Sequence, residues 1–149
     1  MQLKLSTAFI SLVAFAASGA NALICSEALR FGNATVTPAN PNVGSTINIL
    51  VDFRCAVQHS GNVPQFVDYT LEVLPADNNG FESPIILARH TLAAGALSDT
   101  LTATIPNALT PGAPYNLAIT NVHSVNDKDG KPFLTSGGFI PIEPIVASS

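Results

Sequence analysis

Short runs in which apolar and polar residues alternate recur along the chain, and this period of two is typical of β-strands with one buried face. The clearest run begins at Thr46 and ends at Cys55. Its apolar residues occupy every second position from Ile47, while Leu50 falls on the polar side. The run from 66 to 74 alternates as regularly, with Tyr69 on its apolar side. The sequence predicts about seven strands, at 29–37, 46–55, 66–74, 84–91, 99–105, 115–122 and 139–142.

A turn before the sixth of these strands gives the first indication of architecture. Pro111 presets φ and Gly112 tolerates positive φ, so the pair favours a tight turn. Tyr115 follows at the first apolar position of the strand. This arrangement resembles the tyrosine corner of immunoglobulin-like sandwiches, in which the ring packs in the core and the hydroxyl bonds back across the corner.

The many short strands, and the turn signals between them, predict an all-β fold. An immunoglobulin/fibronectin-III-like Greek-key β-sandwich is the simplest arrangement of about seven such strands. The chain contains no tryptophan, and neither cysteine lies where an antibody-type bridge between sheets would, which favours the fibronectin-III kind. The run 84–91 alternates poorly, so we expect it at a sheet edge or at a switch between sheets. Its unpaired edge, at 85–89, is a candidate for self-pairing.

The first 22 residues have the pattern of a secretory signal peptide. Lys4 supplies a positive start, residues 5–17 are mostly apolar, and Ala20 and Ala22 fit the small-x-small cleavage rule. We therefore expect residues 1–22 to be removed and residues 23–149 to be exported as one β-sandwich domain. Later runs are all shorter than the ~20 apolar residues of a membrane span, and the C-terminus lacks an apolar tail. We expect a secreted protein without membrane insertion.

Charge narrows the class of partner. The sequence has six Lys and Arg residues against ten Asp and Glu residues, and loss of Lys4 with the leader would leave a net charge of −5. An acidic chain without a basic cluster is a poor partner for nucleic acid or for anionic lipid. Charged residues make up only 11% of the chain, so much of its polar surface must come from Thr, Ser and Asn.

The two cysteines predict one disulfide. Cys25 and Cys55 both lie in the exported part, and an even count in an oxidising compartment favours pairing. If strands 29–37 and 46–55 pair antiparallel, the start of the first lies beside the end of the second, which brings the cysteines together. The alternative is a redox or metal-binding pair, but the spacing matches no CxxC motif.

A single N-glycosylation sequon occurs near the start of the exported chain. It is Asn33-Ala34-Thr35, and its middle residue is not proline. In a secreted protein this triplet is a candidate glycan site, provided that Asn33 faces outward. The alternative is a chance triplet that carries no glycan.

Three motifs occur in order along the chain. They are a Val-Thr-Pro turn leading to Val-Gly-Ser-Thr-Ile-Asn-Ile (36–38 and 43–49), Tyr-Asn-Leu-Ala-Ile (115–119) and Ser-Gly-Gly-Phe-Ile-Pro-Ile (136–142). The series resembles the fungal cell-wall domain shared by Kre/Knh-type β-glucan-assembly proteins and Ser/Thr-rich GPI-anchored proteins. The resemblance spans 34–142 and implies an extracellular, wall-associated, non-catalytic domain. The family's usual tryptophan near the first turn and its Ser/Thr-rich anchored stalk are absent here, so wall attachment does not follow from the resemblance.

The sequence offers few candidates for chemistry. It contains no G-x-S-x-G, H-E-x-x-H or P-loop motif, and His59, His90 and His123 fall in separate segments. Asp68 and Glu72 share one face of a strand at about 13 Å, too far apart for a glycosidase pair. We therefore predict no catalytic residue.

Two oxygen-rich loops could suggest calcium. In residues 126–130, Lys128 breaks the alternation of oxygen ligands that an EF-hand requires, and no distal Glu follows. A plain acidic hairpin loop is the simpler interpretation. The second loop, containing Asp77, Asn79 and Glu82, is no better a candidate for calcium binding. We predict neither a metal nor a cofactor.

Aromatic residues outside the predicted core are the remaining candidates for ligand binding. Phe66, Phe81 and Phe133 lie at strand starts or in loops, and they could stack on sugar rings or simply anchor those loops. The sequence thus predicts a non-catalytic secreted wall or matrix component or interaction protein. The alternatives are a β-glucan- or chitin-binding module and a secreted effector that binds a host protein. Cell-wall polysaccharide or an extracellular protein is the expected partner.

Overall fold

The computed structural model describes residues 24–147, so the predicted signal peptide lies outside the described residues. A 3-10 turn at Glu27–Leu29 precedes the first strand. The elements that follow are β1 (Asn33–Thr37), β2 (Thr46–Asp52), α1 (Arg54–Gln58), β3 (Pro64–Val73), β4 (Ile85–Thr91), β5 (Ser98–Thr104), β6 (Pro114–Asn126), β7 (Pro132–Phe139) and β8 (Ile145–Val146).

These strands form two antiparallel sheets. One has the order β1-β2-β5, and the other has the order β4-β3-β6-β7, with β8 also paired to β6. The chain passes between the sheets after β2, after β4 and after β5, so the pairs β2–β5 and β3–β6 interleave as in a Greek-key sandwich. The predicted all-β sandwich is confirmed, and β4 lies at a sheet edge as expected. No helix within residues 24–147 is long and apolar enough to cross a membrane.

The core lies between the two sheets. Alternate residues of β2 and β3 are buried, as their sequence patterns predict, and Leu50 points outward. Apolar side chains from both sheets meet there because each strand has one apolar face. The largest fully buried apolar side chains are Tyr69, Tyr115, Phe53, Ile47, Ile49, Leu71, Ile105, Leu117 and Ile119.

The tyrosine corner is also confirmed. Tyr115 is buried at the start of β6, and its hydroxyl oxygen lies 3.3 Å from Oγ1 of Thr110 in the preceding turn. Gly112 has φ +78°, a conformation that side chains rarely adopt. The turn therefore positions the ring in the core and connects its hydroxyl back across the corner.

The predicted extension of the second strand to Cys55 is wrong. Strand β2 ends at Asp52, whose carboxylate accepts a hydrogen bond of 2.8 Å from the backbone N–H of Arg54 and also pairs with the Arg54 guanidinium. The short helix α1 starts there instead of a continued strand. The first strand likewise starts at Asn33 instead of residue 29, because residues 27–29 form the 3-10 turn and Gly32 takes φ +126°.

The predicted disulfide is confirmed. Cys25 and Cys55 are bonded, with Cα atoms 5.4 Å apart. The pairing of β1 with β2 brings the two segments together, as the sequence suggested, although Cys55 belongs to α1 and not to a strand. The bond therefore holds the N-terminal segment against the start of the helix.

The last predicted strand, at 139–142, is wrong in position. Strand β7 covers Pro132–Phe139 and forms a hairpin with β6 across the acidic loop. Asp127 closes that loop, because its Oδ1 accepts backbone N–H groups of Asp129 and Lys131, each at 2.8 Å. The loop is thus a hairpin connection, the simpler of the two interpretations of its sequence.

Gly137 in β7 lies directly beneath an aromatic ring. A methyl group at this position would lie 2.2 Å from Cζ of Phe31, whose ring comes from the segment before β1. Nothing larger than hydrogen fits there unless the ring moves.

We therefore expect Gly137→Ala to lower the free energy of unfolding by about 1–3 kcal/mol, because the Phe31 ring is displaced. Urea denaturation measures the effect. In a Phe31→Ala background the same change should cost markedly less, because the ring is gone. Equal costs in the two backgrounds would contradict the contact.

Candidate functional site

The structure does not gather the three candidate phenylalanines into one platform. Phe66 is half-buried near the start of β3, whereas Phe81 is 85% exposed in the connection after β3. Phe133 is 49% exposed on β7, opposite Val125. Since Pro64 at the start of β3 is opposite His123, Phe66 and Phe133 lie towards one end of their sheet. Phe81 follows the other end of β3, so a shared stacking surface of all three is not formed.

Asn33, the candidate glycan site, lies at the first position of β1 with its side chain exposed. It is opposite Asp52 at the end of the sheet. The condition set by the sequence, an outward-facing asparagine, is met. Whether a glycan is attached stays a prediction.

The outer surface of sheet β1-β2-β5 carries a regular array of seven uncharged polar residues and one leucine, which we name the threonine face. The array is made of rows that cross the strands, and within each row the residues of neighbouring strands are directly opposite one another. Strands lie about 4.8 Å apart and successive outward residues about 6.8 Å apart. All eight members are exposed, and they are Thr35, Thr37, Thr46, Asn48, Leu50, Thr100, Thr102 and Thr104.

Hydrogen bonds order part of the threonine face. Thr102 Oγ1 donates to Asn48 Oδ1 at 2.7 Å, and the hydroxyl oxygens of Thr46 and Thr104 lie 3.4 Å apart. Threonine hydroxyls both donate and accept, and their methyl groups offer apolar contact between the hydroxyls. The surface therefore presents hydrogen-bond donors, acceptors and small apolar groups side by side.

Most carboxylates are already engaged in contacts within the protein. Asp68 pairs with Arg89, with Oδ1 2.5 Å from Nε, and Glu72 accepts the Thr70 hydroxyl. Glu82 is buried and accepts the Asn79 N–H at 2.8 Å, which closes the second oxygen-rich loop. Eight of the ten have such partners, namely Glu27, Asp52, Asp68, Glu72, Glu82, Asp99, Asp127 and Asp129.

Sequence reasoning missed a polar cluster that joins the two sheets. Asp99 Oδ2 on β5 accepts the Tyr69 hydroxyl from β3 at 2.7 Å and lies 2.7 Å from Nδ1 of His90 on β4. Burial and the bond to Asp99 raise the pKa of the Tyr69 hydroxyl well above its usual range. The inward position of Tyr69 was predictable, but its partners depend on the register of two further strands. The cluster acts as a connection between sheets.

A second buried network fixes the N-terminal segment to β6. Asn121 Nδ2 donates to the backbone carbonyl oxygens of Phe31 at 3.2 Å and Asn62 at 3.0 Å. Asn121 Oδ1 lies 3.2 Å from Nδ1 of His123, which is also buried. The Phe31 ring lies beside the imidazole, with ring centroids 5.9 Å apart. Burial among these groups lowers the pKa of His123.

We expect His123 to make the protein less stable in acid. In the unfolded chain the His123 imidazole has a pKa near 6.5, whereas in the folded protein its pKa is lower. Below pH 6.5 the unfolded chain therefore binds a proton that the folded protein does not, and stability present above that pH is lost as the pH falls. Urea midpoints at about pH 7.5 and about pH 5.5 measure this loss. It should be smaller in His123→Gln than in the wild type or in the exposed control His59→Gln. An unchanged pH dependence in His123→Gln would refute it.

In comparisons with known proteins, no protein-family profile, curated protein or solved structure matches the chain.

Within residues 24–147, no group of three or more His, Cys, Asp or Glu side chains is placed to hold a metal ion.

Proposed function

We propose that the protein is a secreted, non-catalytic module of a cell wall or extracellular matrix that binds a neutral polysaccharide. The observation that carries this proposal is the threonine face, whose eight members are uncharged. The adjacent row of the same surface contains Asp52, whose carboxylate pairs with Arg54. Hydroxyl and carboxamide groups match the mixed donors and acceptors of sugar hydroxyls. The methyl groups of threonine and the exposed side chain of Leu50 match the C–H surfaces of sugar rings.

Two further features support this proposal. The disulfide between Cys25 and Cys55 fits the oxidising route that the N-terminal sequence predicts. Engagement of eight carboxylates in internal contacts favours a structural role for them over acid–base chemistry. Together they favour a stable extracellular domain that acts through its surface.

The proposal is tested by sedimenting the purified protein with insoluble β-1,3-glucan and with chitin. We expect retention by at least one of them, and loss of retention in the double variant Thr35→Lys/Thr100→Lys, which places charge on both sides of Leu50. The matched control is Ile86→Lys/Ser136→Lys, which adds the same charge to exposed positions of the other sheet. If neither polymer retains the wild type, the proposal is refuted.

A protein partner is the second candidate, and the edge strand β4 favours it. Strand β4 ends its sheet, so one side of its backbone is unpaired, and Ile86 on it is 73% exposed. Exposed edges of this kind can add a strand from another chain. Self-pairing predicts a dimer by light scattering that Ile86→Lys disrupts, while a monomer at all concentrations would exclude it.

A further inference from the structure

The edge of the second sheet beyond β6 is interrupted. Strand β7 ends with Phe139 opposite Ile119, and β8 resumes with Ile145 opposite Tyr115. Because β3 occupies the other side of Tyr115, both strands pair with the same side of β6. The intervening residues, 140–144, are five in number, whereas β6 has only three residues across the gap. The chain therefore leaves the sheet here.

Two prolines account for the interruption. Pro141 and Pro144 have no N–H to donate and cannot complete a strand ladder. No backbone hydrogen bond among the described residues joins 140–144 to β6. In an antiparallel ladder successive residues direct their N–H and C=O groups to alternate sides. At least one residue within 116–118 therefore directs both groups into the gap.

Asn116 lies at this gap with an unused acceptor. Its side chain is on the outer face of the sheet, yet the residue is only 5% exposed. Its Nδ2 is 3.4 Å from the carbonyl oxygens of Glu72 and Pro114. Because both neighbours are acceptors, the nitrogen must face them, which leaves Oδ1 on the other side. Within residues 24–147 no protein donor bonds to that oxygen.

An open groove borders Asn116, and we name it the Asn116 groove. It has a volume of about 470 Å³, and Asn40 and Glu143 contribute further polar groups to its walls. Ile140, Pro141 and Pro144 supply apolar surface beside them. Carboxamides and a carboxylate next to apolar walls form the mixture that a sugar ring requires, since its hydroxyls lie beside C–H surfaces. The charge of Glu143 disfavours anionic ligands.

We infer that the Asn116 groove is a discrete binding site for a neutral saccharide, separate from the threonine face. The inference rests on the proposed function for its class of ligand, and on the strand gap and Asn116 for its location. A volume of this size accommodates a short segment of a glycan, with hydroxyl groups donating to Asn116 Oδ1 and Glu143. The threonine face would contact the polymer broadly, and the groove would select one segment of it.

The test is calorimetric titration of the wild type with soluble β-1,3-gluco-oligosaccharide and chito-oligosaccharide. Asn40→Ala/Glu143→Ala alters two exposed groove residues and should preserve the fold. We expect this double variant and the single variant Asn116→Ala each to weaken the affinity for the oligosaccharide about tenfold, the cost of losing one or two hydrogen bonds. Thermal unfolding of each variant checks its fold. Thr35→Lys/Thr100→Lys should bind the soluble oligosaccharide as the wild type does.

The outcomes separate this inference from the proposed function. Suppose that insoluble polymer retains the wild type, but that soluble oligosaccharides either do not bind it or bind the wild type and the groove variants equally. The groove is then a hydration site only, and this inference is refuted while the proposed function stands. If no polymer retains the protein, the proposed function fails and the saccharide inference with it. Equal weakening by the groove and threonine-face variants would show a single continuous surface and would also overturn the inference.

Discussion

Replacing Phe53 with alanine is expected to lower the free energy of unfolding by about 3–5 kcal/mol. Phe53 is fully buried where β2 gives way to α1, and a methyl group on Gly32 would lie 2.9 Å from its ring. Its backbone N–H bonds to the carbonyl oxygen of Leu97 at 2.8 Å and is untouched by the substitution. The loss therefore reports the cavity left by the ring.

Urea denaturation measures this loss. The control is Leu50→Ala, which removes an exposed side chain three residues away and should change stability by less than about 0.5 kcal/mol. Equal denaturation midpoints for Phe53→Ala and the wild type would contradict the described core.

Removal of the disulfide should have a comparable effect. The bond between Cys25 and Cys55 closes a loop with a sequence separation of 30. Loop-closure entropy for that length gives about 3–4 kcal/mol of stability, through restriction of the unfolded chain. We expect Cys25→Ala/Cys55→Ala to lose this amount relative to the oxidised wild type.

The wild type in excess reductant provides the matched control. Its unfolding free energy should fall to that of the double variant, which the reductant should leave unchanged. An oxidised protein no more stable than the double variant would show that the loop is already ordered in the unfolded chain.

Local pattern predicted the strands wherever their own residues alternate. The run around Tyr69 is an example, because its inward residues are apolar and its outward residues are polar. The pattern failed for β7, because Gly137 and Gly138 have no side chains that could alternate between apolar and polar. The ring of Phe31 occupies the space that an inward side chain at Gly137 would fill. Strands of this kind form because of contacts between distant segments of the chain, and those contacts cannot be inferred from the local sequence pattern.

The candidate surfaces were only partly predictable. The alternating threonines at 100–104 were evident, but their alignment with Thr35 and Asn48 required the register of β1, β2 and β5. The Asn116 groove was not predictable at all. It depends on β8 returning to β6 after two prolines, a pairing that involves only two residues. Phe66, Phe81 and Phe133 were sensible candidates singly, but the sequence could not show that Phe81 follows the opposite end of β3 from Phe66.

Hydrogen–deuterium exchange of the protein bound to insoluble polysaccharide tests the central proposal most directly. Comparison with the free protein would show which surface the polymer covers. We predict slowed exchange in β1, β2 and β5, with further protection at residues 116–118. Protection confined to β4, or the same exchange rates in the bound and free protein, would contradict binding of a neutral polysaccharide through the threonine face.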